Sequence, residues 1–261
     1  MKLATLASGS SGNSSVVTGG QTSLLIDAGL SGKGISTRLE SLGVDVKKLA
    51  GILVTHEHQD HIQGVGVLAR RHKLPVYALE PCFAAMEVGV LPDGCCHVLE
   101  QGEALEIGEL KVELFNTSHD SMASTGFVCF HAESKIGYAT DTGEVSPIMI
   151  RKLRGSNAMI FESNHDEEML WRGRYPYHLK QRIAASTGHL SNTDAGKALA
   201  EIIDHKTKRI ILAHLSEENN LPDIALHTVG NILHEAGVPA LAPELKIRTA
   251  PRHMPLGVED V

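Results

Sequence analysis

Residues 55–61 read Thr55-His56-Glu57-His58-Gln59-Asp60-His61, directly behind the apolar run Ile52-Leu53-Val54. In an extended segment leaving a strand, side chains two residues apart project to the same side, so His56 and His58 can grip one ion together. The chain then turns toward a helix, which lets Asp60 and His61 face a neighbouring ion. Mixed imidazole and carboxylate donors suit Zn²⁺, Mn²⁺ or Fe²⁺ rather than Ca²⁺ or Mg²⁺ alone. A lone histidine pair would fit a surface loop that binds nothing. Four donors in this order behind a buried strand point to a site for two divalent transition metal ions.

Outward from this segment, the chain alternates short strands and helices. Lys2–Ala7, Ser14–Val17 and Ser23–Asp27 read as strands separated by Gly/Ser turns, and Ser31–Leu42 as a helix stopped at Gly43. Ile52–Thr55 is a buried strand, and His61–Arg71 carries apolar residues at helical spacing. Further strands are expected at Val76–Leu79, Leu110–Phe115, Phe127–His131, Ile136–Thr140, Ala158–Glu162, Arg209–Ala213 and near Leu245–Thr249. Ser191-Asn192-Thr193-Asp194 has the form of a capping box opening a helix through Ile203, and Ile224–Glu235 reads as the last helix. No short-period repeat or low-complexity linker interrupts the 261 residues. The expectation is one domain over residues 1–261, an α/β four-layer sandwich of αββα type.

No stretch approaches the roughly 20 apolar residues of a membrane-spanning helix. The N-terminal Met-Lys-Leu-Ala-Thr-Leu-Ala imitates an export signal but stops at once in Ser8-Gly9-Ser10-Ser11-Gly12, so a cytoplasmic protein is expected. Cys82, Cys95, Cys96 and Cys129 form no C-x-x-C pair, which argues against a zinc knuckle or a disulfide frame. A net charge of −7 disfavours a protein that coats nucleic acid through a basic surface. It leaves room for a focused site where metals and a few arginines hold one or two phosphates. Fifteen histidines against one tryptophan make the placement of histidine the informative feature.

The segment at 55–61 matches the H-x-H-x-D-H signature of the metallo-β-lactamase superfamily, and the rest of that pattern resembles this chain in order. His119 in Asn116-Thr117-Ser118-His119-Asp120 resembles the third histidine of the first metal. Asp141 in Ala139-Thr140-Asp141-Thr142-Gly143 resembles the bridging aspartate, and His214 in Leu212-Ala213-His214-Leu215-Ser216 the last histidine of the second metal. Asp27, closing Leu24-Leu25-Ile26-Asp27, resembles the aspartate that buttresses the signature loop. The resemblance implies the metallo-β-lactamase αββα sandwich and a hydrolase.

Local features narrow the branch. The bridging position is aspartate, where exported zinc β-lactamases carry cysteine. Phe161-Glu162-Ser163-Asn164 and Thr187-Gly188-His189-Leu190-Ser191 resemble elements of the RNA-processing and phosphodiesterase branch. There the glutamate pairs with a histidine that protonates the leaving group, which implies catalytic roles for Glu162 and His189. Ser8–Ser14, Glu162–Asp166, Tyr175–Arg182 and His214–Asn220 are similar to the YycJ/WalJ-type subfamily. That similarity implies 5′-exonuclease action on DNA. Ser121-Met122-Ala123-Ser124-Thr125-Gly126-Phe127 departs from the Ala-x-x-Pro-Val-Gly-Phe usual in the group.

Between Trp171 and Arg182, Trp171, Tyr175 and Tyr177 interleave with Arg172, Arg174, Lys180 and Arg182. Aromatic rings can stack on bases while cations contact phosphates, which makes Arg172, Arg174, Tyr175 and Tyr177 candidate substrate residues. An amphipathic helix with a solvated basic face would give the same pattern. The separation of 48 positions between Asp141 and His189 is too short for a large inserted nucleic-acid domain. The leading expectation is a phosphodiesterase or nuclease acting on nucleic-acid ends. A small-molecule cyclic phosphodiesterase and a non-catalytic metal-binding partner protein are the alternatives. A thioester hydrolase fits poorly, because Thr117-Ser118-His119-Asp120 lacks the Gly-His-Thr usual there.

Overall fold

Thr22–Ile26 and Leu49–Leu53 are short, apolar and almost wholly buried, which suits parallel strands covered on both faces. The computed structural model describes residues 1–260, so Val261 lies outside the described residues. Fourteen strands form two seven-stranded sheets among those residues. The first comprises β1 (Lys2–Ala7), β2 (Ser14–Gly19), β3 (Thr22–Ile26), β4 (Leu49–Leu53), β5 (Val76–Leu79) and β6 (Cys96–Leu99). The second comprises β7 (Ala104–Ile107), β8 (Leu110–Asn116), β9 (Thr125–His131), β10 (Ser134–Ala139), β11 (Ala158–Glu162), β12 (Arg209–Ala213) and β13 (Lys246–Thr249). β14 (Leu256–Asp260) returns to the first sheet and pairs antiparallel with β1.

The inner faces of the two sheets share one core, in which Val17 and Leu24 of the first sheet join Phe127, Ile136 and Ile211 of the second. Ile35 and Leu39 of helix Gly32–Ser41, with Val65 and Leu68 of helix Val65–His72, extend that core over the outer face of the first sheet. A second core joins Phe115, Met159, Phe161 and Leu212 to Leu153, Leu199 and Val229 of helices Pro147–Leu153, Asn192–Ile202 and Pro222–Glu235. Helix, sheet, sheet and helix therefore stack as the expected αββα sandwich. Ser191 caps its helix as anticipated, its hydroxyl accepting from Asp194 N.

Several local expectations differ from the structure: the strand expected over Ile52–Thr55 is β4, Leu49–Leu53, and helices Glu80–Ala85 and Pro147–Leu153 were not anticipated. The helix expected over His61–Arg71 divides into Gln59–Ile62 and Val65–His72. Gly64 is the reason: its N–H donates to Ala28 O, and a side chain there would strike Leu30 O. The close approach docks the signature loop on the segment after β3, where Ala28 N–H also donates to His61 O. The strands β6, β7 and β14 were not anticipated. All three are edge strands, and β6 and β7 bury few side chains, so their alternation is weak in sequence.

Candidate metal centre and active site

The C-terminal ends of β3, β4, β8, β10, β11 and β12 deliver Asp27, the 55–61 segment, His119, Asp141, Glu162 and His214. β10, β11 and β12 run parallel, so their ends open on one side. Asp27, Asp141 and His214 all take a left-handed backbone, with φ of 58°, 56° and 58°. Such conformations strain a residue other than glycine by about 1–3 kcal/mol and gather where a side chain must be aimed.

Two donor sets result. His56 Nε2 lies 3.0 Å from His58 Nδ1, and His119 Nε2 lies 3.3 Å from the same atom. Outer bonds fix two of these rings: His56 Nδ1 meets Thr55 Oγ1 at 3.0 Å, and His119 Nδ1–H donates to Gly188 O at 3.1 Å. Burial and then the neighbouring imidazoles push His56 well below the usual histidine range, and burial lowers His119 against the pull of Asp141. Neutral rings with a free lone pair are the form that binds a metal.

Asp60, His61 and His214 form the second set. Asp27 accepts from Thr55 N, Thr55 Oγ1 and His61 Nδ1, which leaves His61 Nε2 facing Asp60 Oδ2 at 3.5 Å and Asp141 Oδ2 at 3.3 Å. Burial alone would lower His61, but Asp141, Asp27 and Asp60 raise it to about 9. The same field would hold a cation. Asp141 stands between the sets, its Oδ1 3.9 Å from His119 Nε2. Asp141 Oδ2 and His214 Nε2 are buried with no hydrogen-bond partner. Buried polar atoms are nearly always paired, so these two fit divalent ions at the site.

Glu162 is fully buried and uses both carboxylate oxygens. Its Oε1 faces His189 Nδ1 at 2.8 Å and His214 Nδ1 at 3.0 Å, while Oε2 accepts from Thr142 N and Leu190 N. Burial opposes ionisation, but the charges and hydrogen bonds of His189 and His214 hold its carboxyl well below the usual range. The pairing with His189 was legible in sequence; the bond to His214 was not. With Nδ1 turned to Glu162, the Nε2 edge of His189 is available to the cavity that the ring lines.

That cavity holds about 320 Å³ and brings His58, Asp60, His119, Asp141, His189 and His214 together with Tyr175 and Arg182. Ser10 and Tyr175 also border a second, adjacent cavity that Arg174 and Arg252 line beside Glu217 and Glu218. The expected strip of substrate residues therefore divides. Tyr175 and Arg174 line these cavities, whereas Arg172 lines neither and pairs with Glu168 one helical turn away. Tyr177 also lines neither; it is exposed, its ring centroid 6.1 Å from that of Trp171. Lys180 is buried and donates to Trp171 O and Gly173 O, closing helix Glu167–Arg172 rather than facing a phosphate. Asn13 was missed: its Nδ2 donates to Asp60 Oδ2 at 3.1 Å while its Oδ1 accepts from Gly9 N. The Gly/Ser loop around it was visible, but its partner lies 47 residues away.

His165 lies behind this wall and is only 3% exposed. Burial lowers it from 6.5 to about 4. Between these values the unfolded chain takes up a proton that the fold refuses, so stability falls as pH drops from 6.5 toward 4. The full loss is about 3 kcal/mol. Denaturant melts of the wild type and His165→Gln from pH 7 to 4.5 should show a flatter profile for the variant. Parallel profiles would mean that other groups carry the acid sensitivity.

Residues 22–215 match the β-lactamase superfamily domain. The chain belongs to this superfamily. It is 46% identical over 235 residues to the exodeoxyribonuclease YycJ of Bacillus anthracis, covering 89% of each chain. It is 41% identical over 239 residues to the exodeoxyribonuclease WalJ of Streptococcus pneumoniae serotype 2, covering 90% of this chain and 89% of that one. The metallo-β-lactamase fold protein YhfI of Bacillus subtilis superposes with a TM-score of 0.72 at 15% identity, over 98% of this chain and 99% of that one. This last likeness bears on the fold alone. The chain is a metal-binding hydrolase of the superfamily, in the YycJ/WalJ group. Among the described residues no helix is long and apolar enough to cross a membrane.

Proposed function

We propose that the protein is an exodeoxyribonuclease with two divalent ions, zinc or manganese with iron as a third candidate, acting on the 5′ ends of DNA. We further propose that residues 1–261 form a single domain; the return of β14 to pair with β1 supports it. Four cysteines without disulfides fit a cytoplasmic location. The observation that carries the activity is His189, held by Glu162 and lining the same cavity as members of both donor sets. A metal-binding scaffold without catalysis has no use for such a group. The names of the 46% and 41% identical relatives support DNA as the substrate.

His56, His58 and His119 would hold one ion, Asp60, His61 and His214 the other, and Asp141 would serve both. When bound, the ions supply Lewis-acid polarisation of the phosphate and activation of water. Asn13 and Asp27 orient Asp60 and His61. His189, with Nδ1–H donated to Glu162, presents Nε2 to the departing sugar oxygen and protonates it there. The adjacent cavity beside Arg174, which shares Ser10 and Tyr175 with the central one, supports a strand rather than an enclosed small cyclic phosphate.

The test is a metal-defined assay comparing 5′- and 3′-labelled DNA, RNA and a 2′,3′-cyclic nucleotide. Release of mononucleotides from the 5′ end of DNA is expected; turnover of the cyclic nucleotide alone would overturn the reading. In the same assay Arg174→Ala should raise KM on long DNA and reduce the salt slope by about 1, because a phosphate contact is lost. Arg172→Ala should change the slope little, and the reverse ranking would put the strand on the other side of helix Glu167–Arg172.

A further inference from the structure

We infer that Arg182, anchored by Asp120, binds the phosphate next to the scissile one and so makes the site selective for substrates with more than one phosphate. The inference rests on the nuclease reading and adds a subsite to it. Among the described residues lining the central cavity, Arg182 is the one lysine or arginine. Its Nε–H donates to Asp120 Oδ2, and the side chain is otherwise 62% exposed. Asp120 in turn sits against the first donor set, its Oδ1 3.6 Å from His119 Nε2. The carboxylate therefore lies between Arg182 and the metal centre.

This arrangement decides which phosphate the guanidinium can reach. The edge carrying Nε is taken by Asp120, on the side of the histidines. The terminal nitrogens have no protein partner among the described residues, so that edge is free for an anion. A phosphate at the donor sets would meet the metals, with Asp120 between it and Arg182. The free edge therefore suits an oxyanion one step along the chain, where a guanidinium can take two oxygens at once. Side-chain entropy argues the same way: a long exposed arginine is costly to order, and the bond to Asp120 orders it before substrate arrives. Asp120 is a positioning residue in this scheme, and Arg182 a specificity determinant. The sequence shows Arg182 among the cations of 171–182 but singles out Arg172 and Arg174, not Arg182, as substrate candidates; the partner that sets Arg182 apart lies 62 residues earlier.

The experiment uses the metal-loaded protein and two matched probe pairs. The first pair is the 5′-p-nitrophenyl esters of thymidine 5′-phosphate and of thymidine 3′,5′-bisphosphate, read as kcat/KM. The second is thymidine 5′-monophosphate and thymidine 3′,5′-bisphosphate, read as Kd by calorimetry. The wild type should favour the two-phosphate member of each pair by about 10- to 100-fold, the range expected of a charge-assisted contact. Arg182→Ala should collapse that preference, Arg182→Lys should keep part of it, and Asp120→Asn should reduce it with Arg182 still in place. No preference in the wild type, or an equal loss on both members in Arg182→Ala, overturns the inference. Failure of the nuclease reading would appear differently: no turnover of either ester or of DNA, with the Kd preference and its dependence on Arg182 intact.

Discussion

Replacing Asp141 by alanine should take the protein from about two bound metal ions to one and lower its rate by more than about 100-fold. The side chain lies within reach of both donor sets: Oδ2 is 3.3 Å from His61 Nε2, and Oδ1 is 3.3 Å from His214 Nδ1 and 3.9 Å from His119 Nε2. Burial works against its charge, yet His214 and His61 pull its carboxyl below the usual range, so it presents an anion where ions would sit. Its Oδ2 has no hydrogen-bond partner, which is a costly state for a buried carboxylate oxygen unless a cation satisfies it. Backbone strain at φ 56° adds a second indication that the residue is aimed at the cost of local stability. Metal analysis after gel filtration, alongside turnover of a p-nitrophenyl phosphodiester, checks both parts. Asp141→Asn separates charge from shape, since asparagine tolerates the same backbone and keeps the volume. It should fall between wild type and alanine in metal content. Full occupancy and full activity in Asp141→Ala would remove Asp141 from the site.

Much of this arrangement was legible because its residues announce themselves locally. The 55–61 segment follows a buried strand, and so does His214 after the run Ile210-Ile211-Leu212-Ala213. A strand that ends in a histidine or an aspartate places that side chain at the sheet edge, and the order of such ends along the chain is readable without coordinates. Periodicity also gave most of the two helix layers, but not helix Pro147–Leu153 nor the interruption at Gly64, which answers to a backbone contact with Leu30. What sequence withheld are relations between distant side chains. The bonds of Glu162 to His214, of Asn13 to Asp60 and of Arg182 to Asp120 each join residues dozens of positions apart. The composition of 171–182 shows the same limit. Cations and aromatics interleave there, but only folding separates Lys180, which closes a helix, from Arg182, which faces the cavity.

His189→Ala should keep its metals and yet lose about 10²–10⁴-fold in rate on DNA, where the leaving sugar oxygen is poor. The loss should shrink on p-nitrophenyl esters, because a nitrophenolate departs without needing a proton. Geometry gives the reason for expecting the metals to stay. His189 turns Nδ1 to Glu162 at 2.8 Å, and each of the two donor sets is complete without it. Glu162→Gln should behave differently from a simple weakening of His189. Glu162 also faces His214 Nδ1 at 3.0 Å, so its loss loosens a donor of the second set as well as the proton donor. Glu162→Gln should therefore lower affinity for one ion by about 10- to 100-fold, the range for an outer partner of a ligand, while His189→Ala should not. Measured together, metal content and the ratio of rates on the two leaving groups distinguish the roles. A His189→Ala protein equally impaired on both leaving groups, or short of a metal, would sink the proton-donor assignment and make His189 a structural or ligating residue.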